Sequence, residues 1–184
     1  MSNTQITRQI GEHLVVSELG RHGIIATPFA GNMPYFDVVA LTPNGQSIYI
    51  QVKAINKGDW QLKAHHFIII DKLPDKQSKS GLRAVPISPL VFVLIKIIGA
   101  GKDEFYILPY AAVQQIVYQN YRRLTGSSTH FALRPSMVKS FQVNNLSGIH
   151  AAIKERAQQD ASPNGGPAMP LGNSGVTEGP PSVS

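Results

Sequence analysis

The stretch YFDVVALTPNGQSIYIQVKA, residues 35–54, constrains the fold more than any other segment. Two apolar runs flank an Asn-Gly pair, Asn44-Gly45. That pair tolerates the positive φ angles of a tight turn, so the stretch predicts a β-hairpin. On its second strand the side chains alternate between faces. Ile48, Ile50 and Val52 point one way, and Tyr49, Gln51 and Lys53 the other. A glutamine and a lysine sharing one face of so apolar a strand mark either a half-exposed surface or the wall of a site.

The pattern extends outward from the hairpin. Residues 4–22 read as a helix, with Thr4 as N-cap and Gly23 as its stop. Ile6, Ile10 and Leu14 form one stripe on it, and Glu12, Val15, Val16 and Leu19 a second. Glu12 therefore lies in line with apolar neighbours. GIIATPFA reads as a strand and AGNMP as a loop leading into the hairpin. Beyond it, FIII fits either a buried strand or the end of a short helix. KLPDKQSKSGLRAVP reads as a polar loop, PLVFVLIKI and EFYILP as a second hairpin, and YAAVQQIVYQNYRRL and SGIHAAIKERAQ as helices. In the first of these helices Val113, Ile116, Val117 and Tyr121 share a side. The expectation is an α/β domain over residues 1–158, with a mixed central sheet flanked by helices. A Gly-, Pro- and Ser-rich tail, 159–184, reads as disordered.

Composition narrows the function classes. Charged residues make up only 15% of the chain and hydrophobic ones 42%, a balance suited to a compact core. There is no cysteine, so disulfides and thiolate sites are excluded. No apolar run is long enough to span a bilayer, and the polar N-terminus lacks a signal-peptide core; a cytoplasmic setting is the default. The net charge of +6 suits a polyanionic partner, with DNA the expected one.

The polar residues then suggest chemistry. An aspartate beside VVAL costs free energy unless it is paired or holds a cation. The hairpin can bring Asp37 beside Gln51 and Lys53, and the first helix can supply Glu12. Magnesium, with manganese as a substitute, favours such oxygen ligands: carboxylates from Asp37 and Glu12 and a carbonyl from Gln51. Lys53 can orient a water or balance charge growing on a phosphate. Together these parts suit phosphodiester hydrolysis. Glu18, six residues beyond Glu12, is the rival for the helix acid.

GEHLVVSELGRHGIIATPF, then YFDVVAL, then IYIQVKA resemble the core of the PD-(D/E)XK nuclease superfamily. The resemblance implies a restriction-endonuclease-like core: a helix, a three-strand meander, then further strands and helices. It places the family's helix glutamate on Glu12, its second-strand aspartate on Asp37, its third-strand acid on Gln51 and its lysine on Lys53. Two positions depart from the pattern. Phe36 stands where proline is usual, and Gln51 replaces an acid. Asp with Gln-x-Lys is similar to the variant of Mrr-like restriction nucleases. The implied activity is a metal-dependent DNA endonuclease, and homodimers are common in the superfamily. The alternative is a lapsed member that binds nucleic acid or a protein without cutting.

Several residues carry secondary expectations. Trp60 and Gln61 follow the lysine strand, where such nucleases approach substrate; Trp60 could stack on a base or plug the core. Lys72, Lys76, Lys79 and Arg83 could clasp a phosphate backbone. His65, His66 and His130 lack the spacing of a zinc site, and Arg122 and Arg123 suit a helix C-terminus. No phosphate-binding Gly-Lys-Ser/Thr loop, nucleophile elbow or His-Glu-x-x-His helix is present.

Overall fold

The computed structural model describes residues 3–29, 33–73, 76–121, 129–143, 150–151 and 153–155. The expected tail, the Arg122-Arg123 pair, and the side chains of Lys72 and Lys76 lie outside the described residues.

Helix α1 spans Asn3–Arg21. It ends where Gly23 turns to a φ of 71°, and Ile24 N–H donates back to the Leu19 carbonyl at 3.0 Å. A left-handed residue after a helix supplies donors to its last carbonyls, which is why glycine suits the position. Strands β1 (Ile25–Pro28), β2 (Val38–Leu41) and β3 (Ser47–Ile55) form the antiparallel meander expected. The Asn44-Gly45 turn joins β2 to β3, with Gly45 at a φ of 80°.

After β3 come β4 (Trp60–Lys63), a 3-10 turn at Ala64–His66, and the antiparallel ribbon of β5 (Ile68–Leu73) and β6 (Lys76–Leu82). Within FIII, Phe67 caps the 3-10 turn and the three isoleucines begin β5. The segment expected to be a polar loop instead forms β6. Its backbone pairs with apolar β5, and a two-stranded ribbon can leave polar side chains such as Ser78 and Ser80 in solvent. The chain returns through β7 (Leu90–Lys96), which lies parallel to β3, and β8 (Glu104–Pro109), which completes the second hairpin. Helix α2 covers Tyr110–Asn120. β9 (His130–Leu133) pairs with β4, and β10 (Gln142–Val143) adds to β8. Residues 150–151 and 153–155 are helical.

The result is a mixed six-stranded sheet in the order β1-β2-β3-β7-β8-β10, flanked by helices. β7 is buried along six of its seven residues, as a central strand covered on both faces should be. One core lies between α1 and the face bearing Ile48, Ile50 and Val52; Val15, Leu19 and Ile153 close it. The other lies under α2, β4 and β9, on the face bearing Tyr49, Phe92 and Leu94. The Ile6 and Ile10 stripe of α1 points outward, with 44% and 42% exposure.

Helix α1 approaches the sheet closely because Gly11 has no side chain. A Cβ there would sit 2.7 Å from the Ala54 Cβ and 3.3 Å from Val52 Cγ1. Neither neighbour is the end of a long, yielding chain. Gly11→Ala should therefore destabilise by about 1–3 kcal/mol, despite the roughly 1 kcal/mol helix advantage of alanine. Denaturant unfolding checks this, and adding Ala54→Gly should restore most of the loss.

Candidate active site

The site forms where the meander loses a strand. β2 pairs with β3 only from Ser47 to Ile50, whereas β7 pairs with β3 through Ile55. Beyond Ile50, no strand among the described residues pairs with the β2 side of β3, which leaves a notch in the sheet. Asp37 sits at its corner, one residue before β2 begins. Its backbone is held from both sides: its N–H donates to the Ile50 carbonyl at 2.8 Å, and its carbonyl accepts from Phe29 N–H at 2.7 Å. Its carboxylate Oδ2 then accepts from the Val52 backbone N–H at 2.9 Å and from Gln51 Nε2. The side chain replaces the ladder acceptor that β2 no longer provides.

Gln51 is buried, and Lys53 lies on the same face two residues on. Both line a cavity of about 450 Å3. The Lys53 ammonium is pulled below the ordinary lysine pKa. Burial is the largest cause, opposed by the negative charge of Asp37 and, more weakly, Glu12. Glu12 belongs to the helix on the opposite face of the sheet, yet its charge reaches Lys53. It is buried, with 8% exposure, and accepts from Arg8 Nε at 2.7 Å. Glu18 instead binds Arg21 and His22 near the far end of α1 and is not among the charges acting on Lys53. The structure thus brings Asp37, Gln51 and Lys53 together, with Glu12 within electrostatic reach.

Arg8 was not singled out from the sequence. Its pKa is raised, first by the hydrogen bond to Glu12, with a further contribution from Asp37. The signal available was its i, i+4 spacing to Glu12. Lys63, His66, Tyr35 and Met33 also line the cavity. Burial, followed by the charges of His65, Lys63, Lys53 and Arg83, lowers the His66 pKa and favours its neutral imidazole.

The secondary expectations divide. Trp60 cannot stack on a base: it is 1% exposed, its indole N–H donates to the Ile95 carbonyl at 3.3 Å, and its ring meets Tyr106 edge-on. The alternation of β4 turns it into the core and turns Gln61 outward, onto the cavity rim. Lys79 lies over the Tyr118 ring and donates to the Tyr118 carbonyl. Arg83 is exposed. Among the described residues, no three His, Asp or Glu side chains are grouped to hold a metal, and no helix is long and apolar enough to cross a membrane.

No family model matches the chain, and no curated protein matches it. Among solved structures, one described as a bacterial homing endonuclease aligns over 88% of this chain and 100% of its own, at 13% identity and a TM-score of 0.47.

Asp37 has a structural duty whatever its chemistry. Asp37→Ala leaves the buried Val52 N–H without its acceptor, at an expected cost of about 1–3 kcal/mol. Asp37→Asn keeps an acceptor oxygen and should lose less. Urea midpoints of the two variants measure the difference.

Proposed function

We propose that the chain is a divalent-metal-dependent DNA endonuclease of PD-(D/E)XK type. One observation carries this reading: Asp37, Gln51 and Lys53 meet at the notch beside β3, and two of them line a single cavity. The donor set fits magnesium, with manganese as its substitute. Asp37 and Glu12 offer carboxylates, and Gln51 offers an amide oxygen while its nitrogen serves Asp37. With fewer than three grouped acids among the described residues, the ion would keep several waters and lean on substrate phosphate, as magnesium commonly does. When bound, it supplies charge neutralisation at the phosphate and acidifies a water.

The protein's own groups do the rest. Asp37 is fixed by its backbone and by two donors, so its carboxylate is preorganised. The Lys53 ammonium can hydrogen-bond the attacking water or a non-bridging phosphate oxygen, where negative charge grows as the water oxygen bonds to phosphorus and the leaving oxygen departs. Partial burial strengthens that interaction, since less water competes for it than at the surface. Arg8 orients the Glu12 carboxylate.

Two features favour the second reading, a module that binds DNA without cutting: the amide at position 51 removes a charge from the metal site, and Glu12 already has a cation. Titrating magnesium or manganese against plasmid and single-stranded DNA separates the two. On the nuclease reading, cleavage depends on metal, and Lys53→Met or Asp37→Asn lowers it by about a hundredfold or more. Lys53→Met should remain at least as stable as the parent, because it removes a half-buried, partly desolvated charge. Binding without cleavage, indifferent to Lys53→Met, would establish the module instead.

A further inference from the structure

The cleavage chemistry accounts for only one wall of the cavity. A phosphate needs cations and donors, but most of the inner surface is apolar. Phe67, Leu90, Phe92 and Tyr110 form a floor, each no more than 4% exposed. Tyr35 and Met33 stand on the rim, each 41% exposed. The floor is held in place: the Phe67 and Tyr110 rings stack at 5.6 Å, and the Tyr110 hydroxyl donates to the His66 carbonyl at 2.9 Å. Tyr35 meets the His66 ring edge-on. The volume of about 450 Å3 falls in the roughly 300–1,000 Å3 range of sites that enclose a small organic ligand.

An apolar, aromatic concavity directly beside a lysine-bearing phosphate site suits a flat ring attached to a phosphate. We propose that this cavity takes one unstacked base of a DNA strand, next to the phosphate held at Lys53, so that the preferred substrate carries an unpaired nucleotide at the cut. The cleavage half of this proposal rests on the nuclease reading; the binding half does not. A base inside a duplex is covered on both faces by its neighbours and cannot reach the floor. Extruding it costs unpairing energy, and a base that is already unpaired avoids that cost. Tyr35 can stack on a base of any kind. Gln61 carries both a donor and an acceptor on the rim and can address a base edge. Lys63 places a further cation there for the adjoining backbone.

The test uses three labelled DNAs: a fully paired duplex, the same duplex with one bulged nucleotide, and the single strand. Anisotropy in calcium reads binding, and product mapping in magnesium reads cleavage. The bulged duplex should be bound and cut about tenfold or more in preference to the paired one, beside the bulge. Tyr35→Ala removes the rim ring, and Gln61→Trp fills the cavity from an exposed position. Both should erase most of the preference without shifting thermal unfolding. Equal treatment of paired and bulged DNA overturns the proposal, as does a preference that survives both variants. A preference in binding with no cutting of any DNA supports the pocket and overturns the nuclease reading. Failure to bind any of the three overturns both.

Discussion

A carboxylate standing in for a strand is the constraint on which the site depends. β3 outruns β2 by five residues, from Gln51 to Ile55, so the backbone groups on that edge have no β2 partner. A buried N–H without an acceptor is expensive, so the chain supplies one from a side chain. Asp37 fills that place at Val52. The hydrogen bond fixes where β2 leaves the sheet, how wide the notch is, and where the carboxylate points. Structure and candidate chemistry share one residue, so a change at Asp37 acts on both.

The notch also lets the two faces of the sheet communicate. Gln51 and Lys53 belong to the face covered by α2 and β4, whereas α1 covers the other. A complete sheet would separate Lys53 from Glu12. With β2 absent at this point, and with Gly11 allowing α1 to lie against Ala54, the charges of Glu12 and Arg8 reach Lys53. An aliphatic residue at position 11 would lift the helix and weaken the field at the lysine. The close contact of helix and sheet is therefore as much a part of the site as its polar groups.

The sequence made the helix, the meander and both hairpins legible, because each carries a strong local period or a turn with one mechanical reading. Asn44-Gly45 and the alternation of β3 are enough to place Gln51 and Lys53 on one face. Illegible were features set by distant partners. β6 is polar over residues 76–80 and reads as loop; it becomes a strand because β5 offers a ladder. The direction of Trp60 depended on the pairing of β4 with β9, from a segment some seventy residues later. Glu12 and Glu18 each sit on the buried side of one helix, and only its placement along β3 distinguishes them. The cavity draws lining residues from five separate stretches of chain, and no local pattern announces such a meeting.

Gln51 acquires a physical reason from this geometry. Its amide touches the Asp37 carboxylate directly. An acid at that position would set two anions in contact, which repel unless a cation or a proton stands between them. The amide turns repulsion into a hydrogen bond, so the pair assembles without help from an ion. On the proposed reading, the exchange weakens the attraction for a divalent cation but gives a site whose geometry precedes the metal. On the proposed reading, Lys53 gains as well: with one carboxylate rather than two beside it, and burial opposing its charge, it holds its proton less firmly and is better able to share it with water or phosphate. Amide, aspartate and half-buried lysine are thus one electrostatic unit.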